Sequence, residues 1–553
     1  MGTHIVARAT RTASLLAVGI TAAFVPALTP ATATAAPEAA ATANPLRPYA
    51  QQKPHWQRCD ARSPAAFRCA TLEVPLDYGD PGGRRTTIAI SRLKATSAAE
   101  RRGVLLLNPG GPGGPGLHLP VDPAVRLFDD VRERYDLIGF DPRGIGRSSP
   151  VGCGLTRGEQ EMEHPYAART FARDVRWART VAAKCRASNG AVLRHLTTRN
   201  TARDMDVIRA VLGEKKISYL AFSYGTYLGA VYTQMFPRRA DRFVLDSAAD
   251  PARYGRGLFQ VMAEGAEPAF TRWTGWAARR HATYGLGTTP AKVRATFWTL
   301  VARADHAPLT IEGQPLTGDD IRAQRTQFFH VRKASTWVAE LKKAAENGKR
   351  AKPGEATSPV RAPRPAPPTP TLAAHGAPEA PGTLAAPGTP GTPAAPGAPG
   401  ALASPRAPAA PGTPTDNDTA AAWSVLCADT RASWPGDPER YRRDAIRDKA
   451  RYPLSGDFAS GIKPCAFWQP GSEPATTVNN TARALIVQNA WDPSTPLAGA
   501  QAMHRALRGS RMVTVAGGEG HIVNGTNSCA DDAATRYLTT GRLPARDLTC
   551  PAD

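Results

Sequence analysis

Leu220-Ala-Phe-Ser-Tyr-Gly-Thr-Tyr-Leu-Gly-Ala230 carries an apolar run straight through a serine, Ser223, into residues with helical spacing. Residues 217–222 read as a short buried strand and 226–236 as a helix. Ser223 therefore stands at a strand-to-helix junction, with Ala221 and Gly225 two residues away on either side. This is the nucleophile pattern G-x-S-x-G with Ala in its first position. So sharp a turn brings two chain arms almost into contact, which requires small flanking side chains and forces the serine into a strained backbone conformation. The hydroxyl then projects at a helix N-terminus, whose dipole favours developing negative charge.

The surrounding sequence repeats the alternation. Residues 104–107, 135–140, 242–246, 484–488 and 512–515 are apolar runs of strand length, and 201–212 has helical spacing with Met205, Ile208 and Leu212 on one face. Apolar strands alternating with helices predict an α/β fold with a mostly parallel central sheet covered on both faces. Between about 250 and 475 the chain is helical and irregular and carries Trp273, Trp276, Phe297, Trp298, Phe328 and Phe329, the pattern of an inserted helical lid with its own core. Within it, 353–415 holds 18 of the 51 prolines among Ala, Gly, Thr and Ser. With no apolar periodicity it has too little surface to bury against the entropy of ordering, and reads as a disordered, partly polyproline insert. The expected organisation is a leader at 1–36, the first part of the core at 37–250, a lid at 251–475 and the second part of the core at 476–553.

A serine hydroxyl is a weak nucleophile without a base and an orienting acid. On a turn of this kind the partners follow in the order Ser, Asp or Glu, His. Beyond the insert's own His375 only His504 and His521 remain. His504 lies in an apparent helix, whereas His521 ends Gly517-Gly-Glu-Gly-His521, a loop directly after a strand, and is the candidate base. Asp492, in Asn489-Ala-Trp-Asp-Pro-Ser-Thr-Pro496 just past another strand, is the candidate acid. An oxyanion needs preorganised donors. Asn108-Pro-Gly-Gly-Pro-Gly-Gly-Pro-Gly116 follows the 104–107 strand where such a loop belongs, and the N–H of Tyr224, next after the nucleophile, is the second donor. The rival reading, a phosphate-cradling loop, lacks the Lys-Ser/Thr pair, and its prolines remove donors.

Composition excludes several classes. The balance is 42% hydrophobic and 21% charged, which rules out a collagen-like or wholly disordered chain. The net charge is +22, but no five Lys or Arg run together, so nucleic-acid binding is not expected. No apolar run reaches the roughly 18 residues that span a bilayer. Arg8 and Arg11, the apolar stretch 15–25 and Ala33-Thr-Ala35 form a secretory leader with a cleavage site. The protein is expected to be extracellular, with loose adsorption to an anionic cell envelope as a weaker alternative. Eight cysteines in an exported chain suit disulfides, and no CxxC or Cys/His cluster has metal-ligand spacing. Sequence-local pairing (59–69, 153–185, 427–465, 529–550) is the simplest of about 105 connectivities.

These motifs resemble the secreted tripeptidyl aminopeptidases of the proline-iminopeptidase-like α/β-hydrolase family. The likeness rests on 72–78, 108–116, 135–149 with its Asp-Pro-Arg-Gly, 202–213, 223–226, and the tail from Ala484 through Asp492, Gly520-His521, Cys529 and Cys550. The resemblance implies an α/β-hydrolase fold and release of short peptides, tripeptides above all, from free N-termini. It assigns Ser223 as nucleophile, Asp492 as acid, His521 as base, and Gly111 and Tyr224 as oxyanion donors, with no cofactor or metal. The chain departs from the family at Ala221, at Pro109 where relatives carry His, and in the long insert. An exopeptidase must also hold the substrate's α-ammonium. Glu264 and Glu267, three apart on an expected lid helix, are candidates, although such spacing more often marks a solvated helix face. The same triad would serve a carboxylesterase or lipase-like enzyme, because function lives in the pocket. A non-catalytic envelope-binding protein is a third reading, one that the intact Ser, Asp and His set argues against.

Overall fold

The computed structural model of the chain describes residues 44–350, 412–429 and 431–553; the leader at 1–36 and most of the low-complexity segment, 353–411, lie outside the described residues. Its strands are β1 (Gln57–Arg58), β2 (Arg68–Pro75), β3 (Arg85–Leu93), β4 (Gly103–Asn108), β5 (Tyr135–Phe140), β6 (Ile217–Phe222), β7 (Ala240–Asp246), β8 (Leu309–Ile311), β9 (Gln314–Leu316), β10 (Ala484–Trp491), β11 (Arg511–Glu519) and β12 (Leu548–Pro551). Ten of them form one sheet in the order β1-β2-β3-β5-β4-β6-β7-β10-β11-β12, and β8 and β9 form a separate hairpin. From β5 to β12 all neighbours run parallel, and β1 to β3 add an antiparallel edge.

Burial accounts for this topology. Every residue of β4, β5 and β6 is buried. Alternate side chains feed two cores: Leu106, Ile138, Ala221, Leu245 and Ile486 face one, and Leu107, Leu137, Leu220, Val244 and Val487 the other. Strands covered on both faces have no polar side to expose, so they read as continuous apolar runs. The chain passes from β4 outward to β5 and then returns across β4 to β6. Loops at the carboxyl ends of such strands line the crevice where ligands bind in this class of sheet.

Between β7 and β10 the insertion has its own core, in which Phe270 meets Trp273, Phe297 and Phe328 with ring centres 5.3, 5.0 and 4.9 Å apart. Trp273 is fully buried within that core. Two elements depart from the sequence reading. β11 runs on to Glu519, so Gly517 and Gly518 are strand rather than loop; a Cβ on Gly518 would lie 2.2 Å from Asn489 Oδ1, which leaves glycine the residue that fits. The helix Asn417–Asp429 belongs to the sheet's core rather than to the insertion's, with Trp423, Val425 and Leu426 packed among the residues that cover β4 and β6. All four sequence-local disulfides are formed: Cys59–Cys69, Cys153–Cys185, Cys427–Cys465 and Cys529–Cys550. Among the described residues no helix is long and apolar enough to cross a membrane.

Candidate active site

Ser223 follows β6 directly and precedes the helix Tyr224–Met235, at φ 55° and ψ −125°. A non-glycine residue there is strained, and such strain persists where the surroundings over-determine it. Here a Cβ on Gly225 would lie 2.6 Å from Asn108 Oδ1 and 3.0 Å from Ala221 Cβ. The two arms of the turn therefore do touch, and the alanine at 221 is accommodated because Gly225 carries no side chain. Gly110 closes the turn from the other side, since its own Cβ would sit 3.0 Å from Ser223 Cβ.

The β7–β10–β11 register carries the other residues to the same edge. Asp246 pairs with Phe222 on one side and with Val487 on the other, and Trp491 pairs with Glu519. Asp492 follows β10 with its carboxylate fully buried, and Oδ2 accepts a hydrogen bond from His521 Nδ1 at 2.8 Å. Oδ1 accepts from the backbone N–H of Ser494 at 2.8 Å and of Thr495 at 3.0 Å, while the Thr495 hydroxyl donates to Oδ2 at 2.8 Å. Burial works to lower the His521 pKa, but the charge and hydrogen bond of Asp492 and the charge of Asp246 outweigh it and hold it above the usual imidazole value. On the other side of the ring, His521 Nε2 is buried and makes no hydrogen bond to any described residue, so the link to Ser223 is not closed.

Asp246 is a residue that sequence reading leaves as an ordinary strand end, yet it joins these pieces. Its carbonyl accepts from Ser223 N at 3.0 Å, and its carboxylate from Val523 N at 2.9 Å and Asn524 N at 2.8 Å. The neighbouring Ser247 hydroxyl accepts from Ile522 N at 2.9 Å. Ser223 and the residues just after His521 thus hang from one two-residue turn. Burial raises the Asp246 pKa to about 6 against the donors that favour its ionised form. The insertion grips the same loop from outside: Arg272 pairs with Glu519 at 2.7 Å, and Val331 N donates to Glu519 at 3.2 Å.

In the glycine loop, Gly110 N–H is taken by Asn108 Oδ1 at 3.0 Å, whereas neither Gly111 N–H nor Tyr224 N–H bonds to a described residue. Glu264 lines a cavity of about 270 Å³ together with Trp491, Asp492 and Pro496, and is held by both terminal nitrogens of Arg253 at 2.6 and 2.8 Å. Glu267 accepts from Leu454 N at 2.6 Å, a bond within the insertion. His504 bonds Ser510 at 2.6 Å and lies 3.2 Å from Asp547.

A buried nucleophile turn at the carboxyl edge of a mostly parallel sheet, beside an Asp–His pair, defines a serine hydrolase of the α/β-hydrolase class. The family model described as alpha/beta hydrolase fold matches residues 103–379, and that described as TAP-like protein matches 452–550. The chain is 33% identical over 513 residues to a tripeptidyl aminopeptidase of Streptomyces lividans, covering 90% of this chain and 86% of that one. It is 28% identical to the serine protease Hip1 of Mycobacterium tuberculosis, over 91% of this chain and 92% of that one. It is 29% identical to a carboxylesterase B of the same species, over 97% of each. The chain belongs to the tripeptidyl aminopeptidase-like family of α/β-hydrolases.

Proposed function

We propose that the protein is a secreted serine exopeptidase that releases short peptides, tripeptides above all, from free N-termini, with Ser223, His521 and Asp492 as its triad. The observation that carries the reading is the buried Asp492–His521 bond at 2.8 Å, on a loop tied to the same turn as Ser223. The tripeptidyl aminopeptidase relative supports the substrate class, and four disulfides suit an oxidising compartment outside the cell.

In this mechanism Asp492 keeps the proton of His521 on Nδ1, so that Nε2 presents a lone pair. Nε2 takes the Ser223 proton as Oγ bonds to the scissile carbonyl carbon; Gly111 N–H and Tyr224 N–H receive the oxyanion, Gly110 N–H being already engaged. The imidazolium then protonates the leaving amine, the C–N bond breaks, and an acyl-enzyme remains on Ser223. Water, deprotonated by the same Nε2, repeats the cycle and frees the peptide. For the first proton transfer Nε2, which makes no hydrogen bond to a described residue, must come within hydrogen-bond reach of Ser223 Oγ.

Ser223→Ala is expected to fold and to lose hydrolysis of a free-amine tripeptide anilide by at least a thousandfold; unchanged turnover would refute the assignment. The carboxylesterase B relative favours a second reading, an esterase using the same triad. A comparison of the free tripeptide anilide, its N-acetylated form and a short-chain ester separates the two, since an aminopeptidase loses the blocked peptide.

A further inference from the structure

The helix Asn417–Asp429 packs against the glycine loop. A Cβ on Gly113 of the glycine loop would lie 2.8 Å from Asp418 O and 3.2 Å from Ala422 N. At the C-terminal end of this helix Asp429 is buried at 6% exposure. Its carboxylate accepts from Thr198 N at 2.7 Å and from the Thr198 hydroxyl, which in turn accepts from Tyr224 Oη at 2.7 Å. Tyr224 is the residue next to the nucleophile. No described cation pairs with Asp429; Arg199, the cation whose charge reaches it, is bonded to Glu473 at 2.9 Å. The Tyr254 ring stacks on Tyr227 with centres 4.1 Å apart, and its buried hydroxyl lies beside Thr198, Asp429 and Tyr224 without a well-formed hydrogen bond to any described residue. Burial pushes the Asp429 carboxyl up to about 7, because a buried carboxylate with hydrogen bonds but no counter-cation is costly in a folded protein, and neither it nor the Tyr254 hydroxyl has a use in the triad.

We propose that Asp429, together with the Tyr254 hydroxyl, receives the α-ammonium of the peptide substrate. The proposal rests on the exopeptidase reading and deepens it. An ammonium brings the missing positive charge and a donor for the Tyr254 oxygen, whereas Glu264 already has its counter-charge in Arg253. The spacing also fits a tripeptide. From Ser223 to Asp429 the path is one tyrosine side chain and two hydrogen bonds, on the order of 10 Å, about the length of three extended residues.

The test is the ratio of kcat/KM for a free-amine tripeptide anilide to that for its N-acetylated form, measured for the wild type, Asp429→Asn and Tyr254→Phe. The wild type should favour the free amine strongly. Asp429→Asn should shrink the ratio at least tenfold, through KM of the free peptide, and Tyr254→Phe should shrink it several-fold. A ratio left intact in Asp429→Asn, including the case where both substrates slow in parallel, overturns the anchor. If that variant fails to fold, Tyr254→Phe, which removes one oxygen and keeps the stacked ring, carries the test, and an unchanged ratio there overturns it. A wild type indifferent to acetylation would instead overturn the exopeptidase reading itself.

Discussion

Replacing Asp492 by Asn has an effect whose direction follows from the hydrogen bonds already in place. Two backbone donors, Ser494 N at 2.8 Å and Thr495 N at 3.0 Å, converge on Oδ1. An asparagine must keep its carbonyl oxygen there, because its amino group would confront two donors. The NH2 then takes the place of Oδ2 and faces His521 Nδ1, 2.8 Å away in the wild type. A donor opposite Nδ1 selects the tautomer with the proton on Nε2, which cannot accept the proton of Ser223. Loss of the base through a wrong tautomer costs about 10⁴ in kcat, or about 5 kcal/mol of transition-state stabilisation. The assay is steady-state hydrolysis of a tripeptide anilide, with the thermal midpoint as a check that the fold survives. A folded Asp492→Asn enzyme within tenfold of wild-type kcat would refute the reasoning.

The proposed mechanism needs neutral His521, whose pKa is held above the usual imidazole value by Asp492 and Asp246 despite burial, so kcat/KM should fall as pH drops through a midpoint above about 6.5. Asp246→Asn should move that midpoint down, and a wild-type midpoint below 6 would contradict the assignment. Gly225→Ala places a methyl 2.6 Å from Asn108 Oδ1 and should cost about 1–3 kcal/mol with a lowered thermal midpoint, whereas Ala221→Gly should cost about 1 kcal/mol or less. Removing Cys529 and Cys550 together opens a loop of 21 residues and should cost roughly 3 kcal/mol of stability, read as a lower denaturation midpoint under non-reducing conditions.

The central sheet is legible because its strands are buried on both faces and announce themselves as apolar runs. The antiparallel edge is harder to read: β2 mixes exposed and buried positions and ends in Pro75, so its run is short and interrupted. Ser223, Asp492 and His521, the proposed triad, could be singled out because each sits just past a strand with a local signature. Asp246 and Asp429 have none. Their partners are Val523, 277 positions away, and Thr198, 231 positions away, and no periodicity in a sequence records such contacts. Gly517-Gly518 misleads for a related reason, since the side chain that forbids a Cβ there belongs to a neighbouring strand.

The site is assembled by a strand that contributes no reacting group. At the end of β7, Asp246 holds the nucleophile's backbone through its carbonyl and the His521 loop through its carboxylate. Two residues on, Ala248 N donates to Gln488 Oε1 at 3.0 Å, and Gln488 Nε2 reaches Asp492 Oδ2 at 3.4 Å. The adjacent Asn489 amide donates to the carbonyls of Glu519, Gly520 and Ile522 at 3.1–3.2 Å. The loops that carry Ser223, Asp492 and His521, the proposed triad, are therefore fixed by bonds to β7 and β10 as well as by contacts among themselves. Such cross-bracing accounts for a strained serine persisting in a buried site: the surrounding bonds over-determine its conformation and hold the neighbouring loops in place.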